Sequence, residues 1–392
     1  MNTLEWLFWF FAIIVAYTYA GYGILLWFLV SVKRLIKGKR ILPDESVYAN
    51  ITLLIAAYNE EEIVDVKMQN TLDLDYPQEN LYIVWVTDGS TDSTNEKLKN
   101  YPQVRVLFDE ARRGKTAALN RAMKFVETPL VVFTDANTLL NKEALSRIVR
   151  EFDNPEVGCV AGEKRVLSRD ADSASAGGEG IYWKYESLLK KLDWELNTAI
   201  GAAGELFAIR TPLFEEVPTD TLLDDFLISM KIVDKGYKIA YCKDAYASES
   251  GSLNMSEEKK RKVRIAAGGV QAVWRLRRMA NLFKFPVLAF QFISHRILRW
   301  TVTPIFLFLL LPLNLVLALT ESTPLYYLLL VFQVLFYLMS IVGKINEDKK
   351  IRNKIFFVPY YFIFMNMNVI RGFFYLSKKR GDGTWEKSKR NK

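Results

Sequence analysis

Two acidic centres and a scatter of cations are the residues whose types and spacing suit chemistry. The stretch Val131-Val132-Phe133-Thr134-Asp135-Ala136-Asn137 carries an apolar run, read as a buried strand, into an Asp-x-Asn pair. Two oxygen-bearing side chains therefore project where the strand leaves its sheet, the place where open α/β sheets bind ligands. Hard divalent cations such as Mg²⁺ are held by one or two carboxylates together with substrate phosphates. Asp135 and Asn137 suit such a site, although an Asp in this place also serves as a turn former or helix cap. Farther along, Asp224 and Asp225 stand side by side ahead of a helical run, Phe226 to Lys235. Such a pair either answers the helix dipole or takes up a proton as a general base. Arg113 and Lys115 are cations placed to meet phosphates, and Asp88 can accept hydrogen bonds from a base or ribose. Each of these three has a plainer reading as a solvated turn or helix-flanking charge.

The elements that must position these residues follow from the apolar pattern. Runs at 51–57, 81–87, 104–108 and 130–134 read as buried strands. Each ends in polar residues: Tyr58-Asn59-Glu60-Glu61-Glu62, whose acids suit a helix first turn; Asp88-Gly89-Ser90-Thr91-Asp92-Ser93; Arg112-Arg113-Gly114-Lys115; and the Asp135 turn. A helix is expected over Thr116 to Val126. Strand and helix alternating at this spacing predict a mostly parallel sheet with polar loops at one edge. Residues 168–180 are small and polar and predict a loop, while Tyr182 to Leu196 has helical periodicity. Gly201-Ala202-Ala203-Gly204-Glu205 predicts a tight turn poor in side chains.

The apolar residues, 51% of the chain, are unevenly spread. Leu4 to Val30 holds Glu5 as its one charge, and two more apolar blocks fill most of 300–343. Each is close to the roughly 20 residues that cross a bilayer. The first block lacks a basic leader and is expected to be an uncleaved anchor. Lys33, Arg34, Lys37, Lys39 and Arg40 follow it, which by the positive-inside rule places the middle of the chain in the cytoplasm. The formal charge of +8 gathers at such membrane flanks and accompanies no nucleic-acid motif, so membrane lipids, and not nucleic acid, are the expected partner. Cys159 and Cys242 read as packing residues, and His295, the single histidine, excludes a histidine metal cluster. Residues 281–294 predict an interfacial helix, Arg296, Arg299 and Trp300 read as interface anchors, and 301–319 and 325–343 predict a membrane hairpin. The block 355–376, with Pro359 and Arg371, is expected to be re-entrant or interfacial. The expected organisation is an anchor at 1–32, a cytoplasmic domain at 50–280, and a membrane region with a basic tail at 281–392.

Taken in order, Ala57-Tyr58-Asn59-Glu60, Asp88-Gly89-Ser90-Thr91-Asp92, Gly114-Lys115-Thr116-Ala117-Ala118-Leu119-Asn120 and Thr134-Asp135-Ala136-Asn137 resemble the donor half of family 2 glycosyltransferases with a GT-A fold. The resemblance covers about 50–280. It implies a Rossmann-like α/β domain in which Ala57, Tyr58 and Glu60 line the nucleotide pocket and Asp88 meets a uracil. Lys115 and Asp135 would serve the sugar nucleotide, and Asp135 with Asn137 the Mg²⁺ or Mn²⁺. It assigns the base to Asp225 of the Asp224-Asp225 pair and puts the turn with Gly204 and Glu205 under the acceptor. The chain departs from the family at Thr87 and Asn137, where a further Asp is usual; the second departure leaves one charged metal ligand fewer. Where processive members carry Gln-x-x-Arg-Trp, this chain has Arg261-Lys262-Val263-Arg264-Ile265. Arg261 and Arg264 keep the cations that would grip a diphosphate, and Ile265 replaces the aromatic on which an acceptor sugar rests.

The implied activity is an inverting hexosyl transfer from a nucleotide sugar, UDP-linked by expectation, to a polyprenyl-diphosphate-linked saccharide at the cytoplasmic face of a bacterial-type plasma membrane. A processive synthase of the hyaluronan, cellulose or poly-N-acetylglucosamine type, acting with partners or as a homo-oligomer, is the alternative. A membrane scaffold with an inactive enzyme-like domain is the reading from another class.

Overall fold

The computed structural model describes residues 2–38, 48–167, 174–251, 254–321, 323–349 and 353–378, with Ile351. The chain opens with helices α1 (Thr3–Ala16) and α2 (Tyr22–Lys37), joined through a π turn, as the apolar anchor predicts. Contacts divide the chain into two units: a membrane unit drawn from Met1–Ser31, Ser168–Leu189 and Met255–Lys378, and a sheet unit drawn from Val32–Leu167 and Lys190–Asn254.

Among the described residues the sheet unit holds eight strands: β1 (Ile51–Ala57), β2 (Leu81–Asp88), β3 (Val104–Asp109), β4 (Leu130–Asp135), β5 (Leu139–Leu140), β6 (Val157–Leu167), β7 (Leu206–Arg210) and β8 (Lys238–Ser250). Their order is β3-β2-β1-β4-β7-β6-β8-β5. The first four lie parallel, with Ala57 beside Thr87 and Ala56 beside Asp135, so the ends of β1, β2 and β4 share one edge. Ile51, Leu53, Leu54, Ile55 and Trp85 are wholly buried. Strands covered on both faces read as continuous apolar runs, which is why β1, β2 and β4 were legible. Helices α3 (Val64–Leu72), α4 (Thr94–Leu98), α5 (Lys115–Met123) and α6 (Ala144–Glu151) make the crossovers. The exception to the parallel expectation is β7, which runs antiparallel to both β4 and β6 and pairs Thr134 with Leu206. Short β5 is also antiparallel, to β8.

Two expectations about where helices begin need correction. Glu60 to Glu62 do not start a helix: α3 begins at Val64. The backbone N–H of Glu60 donates to Thr94 Oγ1 and that of Glu61 to Asp92 Oδ2, and the segment runs as turns up to α3. Of the loop expected at 168–180, residues 174–180 are helical, as the start of α7 (Ala174–Leu196); 168–173 lie outside the described residues. Helix growth is cooperative, and the periodic run after Tyr182 extends back through these small residues. Helix α8 (Asp224–Asp234) completes the sheet unit, and the free cysteines Cys159 and Cys242 are buried there, as expected.

In the membrane unit, α9 (Met255–Arg275), α10 (Pro286–Phe292), α11 (Leu298–Trp300), α12 (Val302–Thr320), α13 (Pro324–Asp348) and α14 (Lys354–Lys378) follow. Among the described residues three helical stretches are long and apolar enough to cross a membrane: Thr3–Lys37, Val302–Thr320 and Pro324–Asp348. The block 355–376 forms most of α14, which is not among them. Arg296 and Arg299 are not interface anchors. Both are buried on Glu186, at 2.7 and 2.9 Å, because a buried carboxylate needs opposite charge.

Candidate active site

Every strand end at the parallel edge contributes a residue. The Tyr58 ring carries the Arg112 guanidinium 4.0 Å from its centroid. Asn59 takes a positive φ of 51°, held by Ser90 Oγ and the Thr91 N–H. Asp88, expected to face a base, accepts the N–H groups of Arg113 at 3.1 Å and Gly114 at 2.7 Å. Its carboxylate therefore shapes the turn from which α5 starts. Gly114 at φ 92° lets that turn close and delivers Lys115 to the first helical position.

Lys115 is the hub. Its Nζ donates to Asp135 Oδ1 at 2.6 Å and lies 3.9 Å from Asp224 Oδ2. Asp135, Asp224 and Asp225 together hold its pKa well above the usual lysine range, against the pull of burial. A Cβ added at Gly204 would come 3.3 Å from both Lys115 Nζ and Asp225 Oδ2, so the side-chain-poor turn abuts the same spot. That turn is tied to α8: the Ala202 N–H donates to Ser229 Oγ, which in turn donates to the Asp225 carbonyl. Asn120, last of the Gly114 to Asn120 motif, exchanges hydrogen bonds with the backbone of Val217 and so secures the approach to α8.

The two acidic centres differ in environment. Burial, then Asp224 and Glu205, push the Asp225 carboxyl up to about 7, opposed by Lys115. A carboxylate so placed is poised for proton transfer near neutral pH. The Glu205 side chain bonds the buried Lys164 ammonium, which also bonds Glu249. Sequence reasoning missed Lys164 and Glu249, since each lies on a strand whose partner is set by the sheet and not by spacing.

The residues present suit a divalent cation. Asp135 supplies a carboxylate, and Asn137 Oδ1 is a buried oxygen with no hydrogen-bond partner. Among the described residues no group of three or more His, Cys, Asp and Glu side chains gathers in metal-binding fashion.

Of the residues singled out from sequence, Ala57, Tyr58, Glu60, Asp88, Lys115, Asp135, Asn137, Gly204, Glu205, Asp224 and Asp225 all belong to the sheet unit. Arg261 and Arg264 lie on α9 of the membrane unit. There Arg261 is buried and paired with Glu258 at 3.0 Å.

A strand-end Asp-x-Asn, a lysine hub and a helix-start acid pair on this sheet define a GT-A domain, and the comparisons agree. Residues 52–217 match the model of glycosyl transferase family 2, and the chain carries a domain of that family. It is similar to the poly-beta-1,6-N-acetyl-D-glucosamine synthase of Staphylococcus epidermidis, at 26% identity over 263 residues, 64% of this chain and 62% of that protein. The Staphylococcus aureus synthase of the same name is 28% identical over 247 residues, 59% of this chain and 58% of its own. The chain thus spans about three fifths of the length of these curated relatives. In fold it resembles a mannosyltransferase from Pyrobaculum calidifontis, solved in complex with GDP-Man and Mn²⁺. The TM-score is 0.68 at 22% identity, covering 94% of this chain and 98% of that one.

Proposed function

We propose that the protein is a membrane-anchored, metal-dependent inverting glycosyltransferase that moves a sugar from a nucleoside diphosphate sugar to a hydroxyl of a membrane-associated acceptor. The observation that carries this reading is the meeting of Lys115 with Asp135 on one side and the Asp224-Asp225 pair on the other. Asp225 takes the proton of the acceptor hydroxyl, whose oxygen attacks the anomeric carbon from the face opposite the leaving nucleoside diphosphate. The bond between that carbon and the phosphate oxygen breaks, and the configuration inverts. Lys115 counters charge on the departing diphosphate. A divalent cation held by Asp135 and Asn137 would share that load as a Lewis acid. Tyr58 and Asp88 supply the walls and the turn of the nucleotide pocket, and Gly204 leaves space beside the base.

The basic flank at Lys33, Arg34 and Lys37 supports a cytoplasmic sheet unit. A donor and acceptor meeting at that face suits a saccharide on a polyprenyl diphosphate. The similarity to two poly-N-acetylglucosamine synthases favours a second reading, a processive synthase; Ile265 in place of an acceptor-stacking aromatic speaks for the first.

Membranes containing the protein, incubated with labelled UDP- and GDP-sugars and Mn²⁺ or Mg²⁺, separate these readings. Label in a lipid-extractable product, lost in Asp225→Asn and with chelator, is expected. Label in high-molecular-weight polymer would establish the processive synthase. Transfer that survives Asp225→Asn would remove the base from this account.

A further inference from the structure

A buried lysine that this chemistry does not use lies behind the Asp135 turn. Lys67, on α3, has no exposed surface, and its neighbours on that helix, Val64 and Met68, are equally buried. Its Nζ donates to the Thr138 carbonyl at 2.7 Å and to Thr134 Oγ1 at 3.2 Å. Those two threonines bracket Asp135, Ala136 and Asn137. Thr138 Oγ1 donates to the Asp135 carbonyl at 2.8 Å and lies 2.9 Å from Thr134 Oγ1, which donates to the Glu205 carbonyl at 2.9 Å. One amine thereby joins α3, the end of β4, the turn after it and the start of β7.

Burying an amine among apolar side chains is costly, and here burial lowers its pKa to about 7, with Asp135 raising it. Its hydrogen bonds go to a hydroxyl and a carbonyl. A methionine would fill the same volume without the desolvation cost, so the amine is accounted for by the turn it grips.

We infer that Lys67 is a positioning residue: its grip on Thr134 and Thr138 fixes the turn in the form in which Asp135 and Asn137 take up a divalent cation beside the nucleotide diphosphate. The inference rests on the metal-dependent reading above. It has an opposite in simple electrostatics, because deleting a cation near Asp135 would by charge alone tighten metal binding.

The test is Mn²⁺ binding to the purified full chain in detergent, followed by electron paramagnetic resonance of free Mn²⁺ with and without UDP or GDP. Metal-free nucleotide binding is measured in parallel. Lys67→Met is expected to weaken Mn²⁺ binding at least tenfold while metal-free nucleotide binding stays within twofold of wild type. Thr134→Val, which keeps the shape and removes one acceptor, should weaken it in the same direction, and Thr134→Ser should restore it. These threonine variants decide the matter if Lys67→Met does not fold. Unchanged or tighter Mn²⁺ binding in Lys67→Met, or in Thr134→Val where that variant decides, would overturn the inference while leaving the metal site intact. A wild type that binds no Mn²⁺ with either nucleotide would overturn the metal-dependent reading itself.

Discussion

The Lys115 ammonium lies 2.6 Å from Asp135 and reaches to 3.9 Å from Asp224, so a single side chain couples the strand-end acid to the helix-start pair. Charge changes on either side are therefore felt on the other.

The Asp225 carboxyl, pushed up to about 7, accepts a proton only once ionised. Transfer should rise with pH through an acid limb near 7 and level above it. Asp224→Asn removes a negative neighbour and should move that limb down; Lys115→Met removes the opposing cation and should move it up. Asp225→Asn should lower turnover about 10²- to 10⁴-fold. For stability the sign is reversed. A carboxyl whose pKa is raised on folding favours the folded state below the ordinary carboxylate range and loses that contribution as pH climbs through about 7. Asp225→Asn should thus melt higher than wild type at pH 8 and equal to it at pH 3. Melting curves at the two pH values and pH-rate profiles check the set.

Asn137→Asp should tighten Mn²⁺ binding, since the unpartnered buried oxygen of Asn137 becomes part of a charged ligand. Asp135→Asn should abolish it. Titration of Mn²⁺ in the presence of UDP reads both, and tighter binding in neither variant with loss in neither would put the cation elsewhere.

Much of this site was legible in the sequence because β1, β2 and β4 are buried on both faces, so each polar break marked a strand end and hence the ligand edge. The reversal of β7 was not legible, because an apolar run has no direction. Charges held by partners far along the chain, such as Glu186 with Arg296 and Arg299, were also beyond reach. Lys67 did leave a trace. Val64, Lys67, Met68 and Thr71 follow the three-and-four spacing of one helical face, and a lysine on an otherwise apolar face signals a buried acceptor.

Gly201→Ala should destabilise the sheet unit by more than about 1 kcal/mol. Gly201 has φ +85°, and a Cβ there would stand 2.1 Å from Phe226 Cδ2. The shift would reach Asp225 next to that ring, so turnover should fall as well. Denaturant melts with activity assays on the folded fraction separate the two losses.

Glu186→Gln in the membrane unit should cost roughly 3–5 kcal/mol, the usual penalty for stripping a buried charge cluster of its counter-charge. Arg296 and Arg299 would remain buried without their carboxylate. Thermal unfolding in detergent measures it, and a melting temperature equal to wild type would count against the ion cluster as a structural element.

At the edge where β1, β2 and β4 leave the sheet, β7 enters it, and the Glu205 carbonyl is latched to Thr134 within the run leading to Asp135. Outgoing strands carry the groups proposed for the donor, and the incoming one carries those proposed for the acceptor. Donor and acceptor groups thus reside on separate stretches of chain that meet through the Thr134–Glu205 hydrogen bond. Grafting residues 201–205 from a relative would be a direct way to ask whether acceptor choice can be transplanted without retraining the donor pocket.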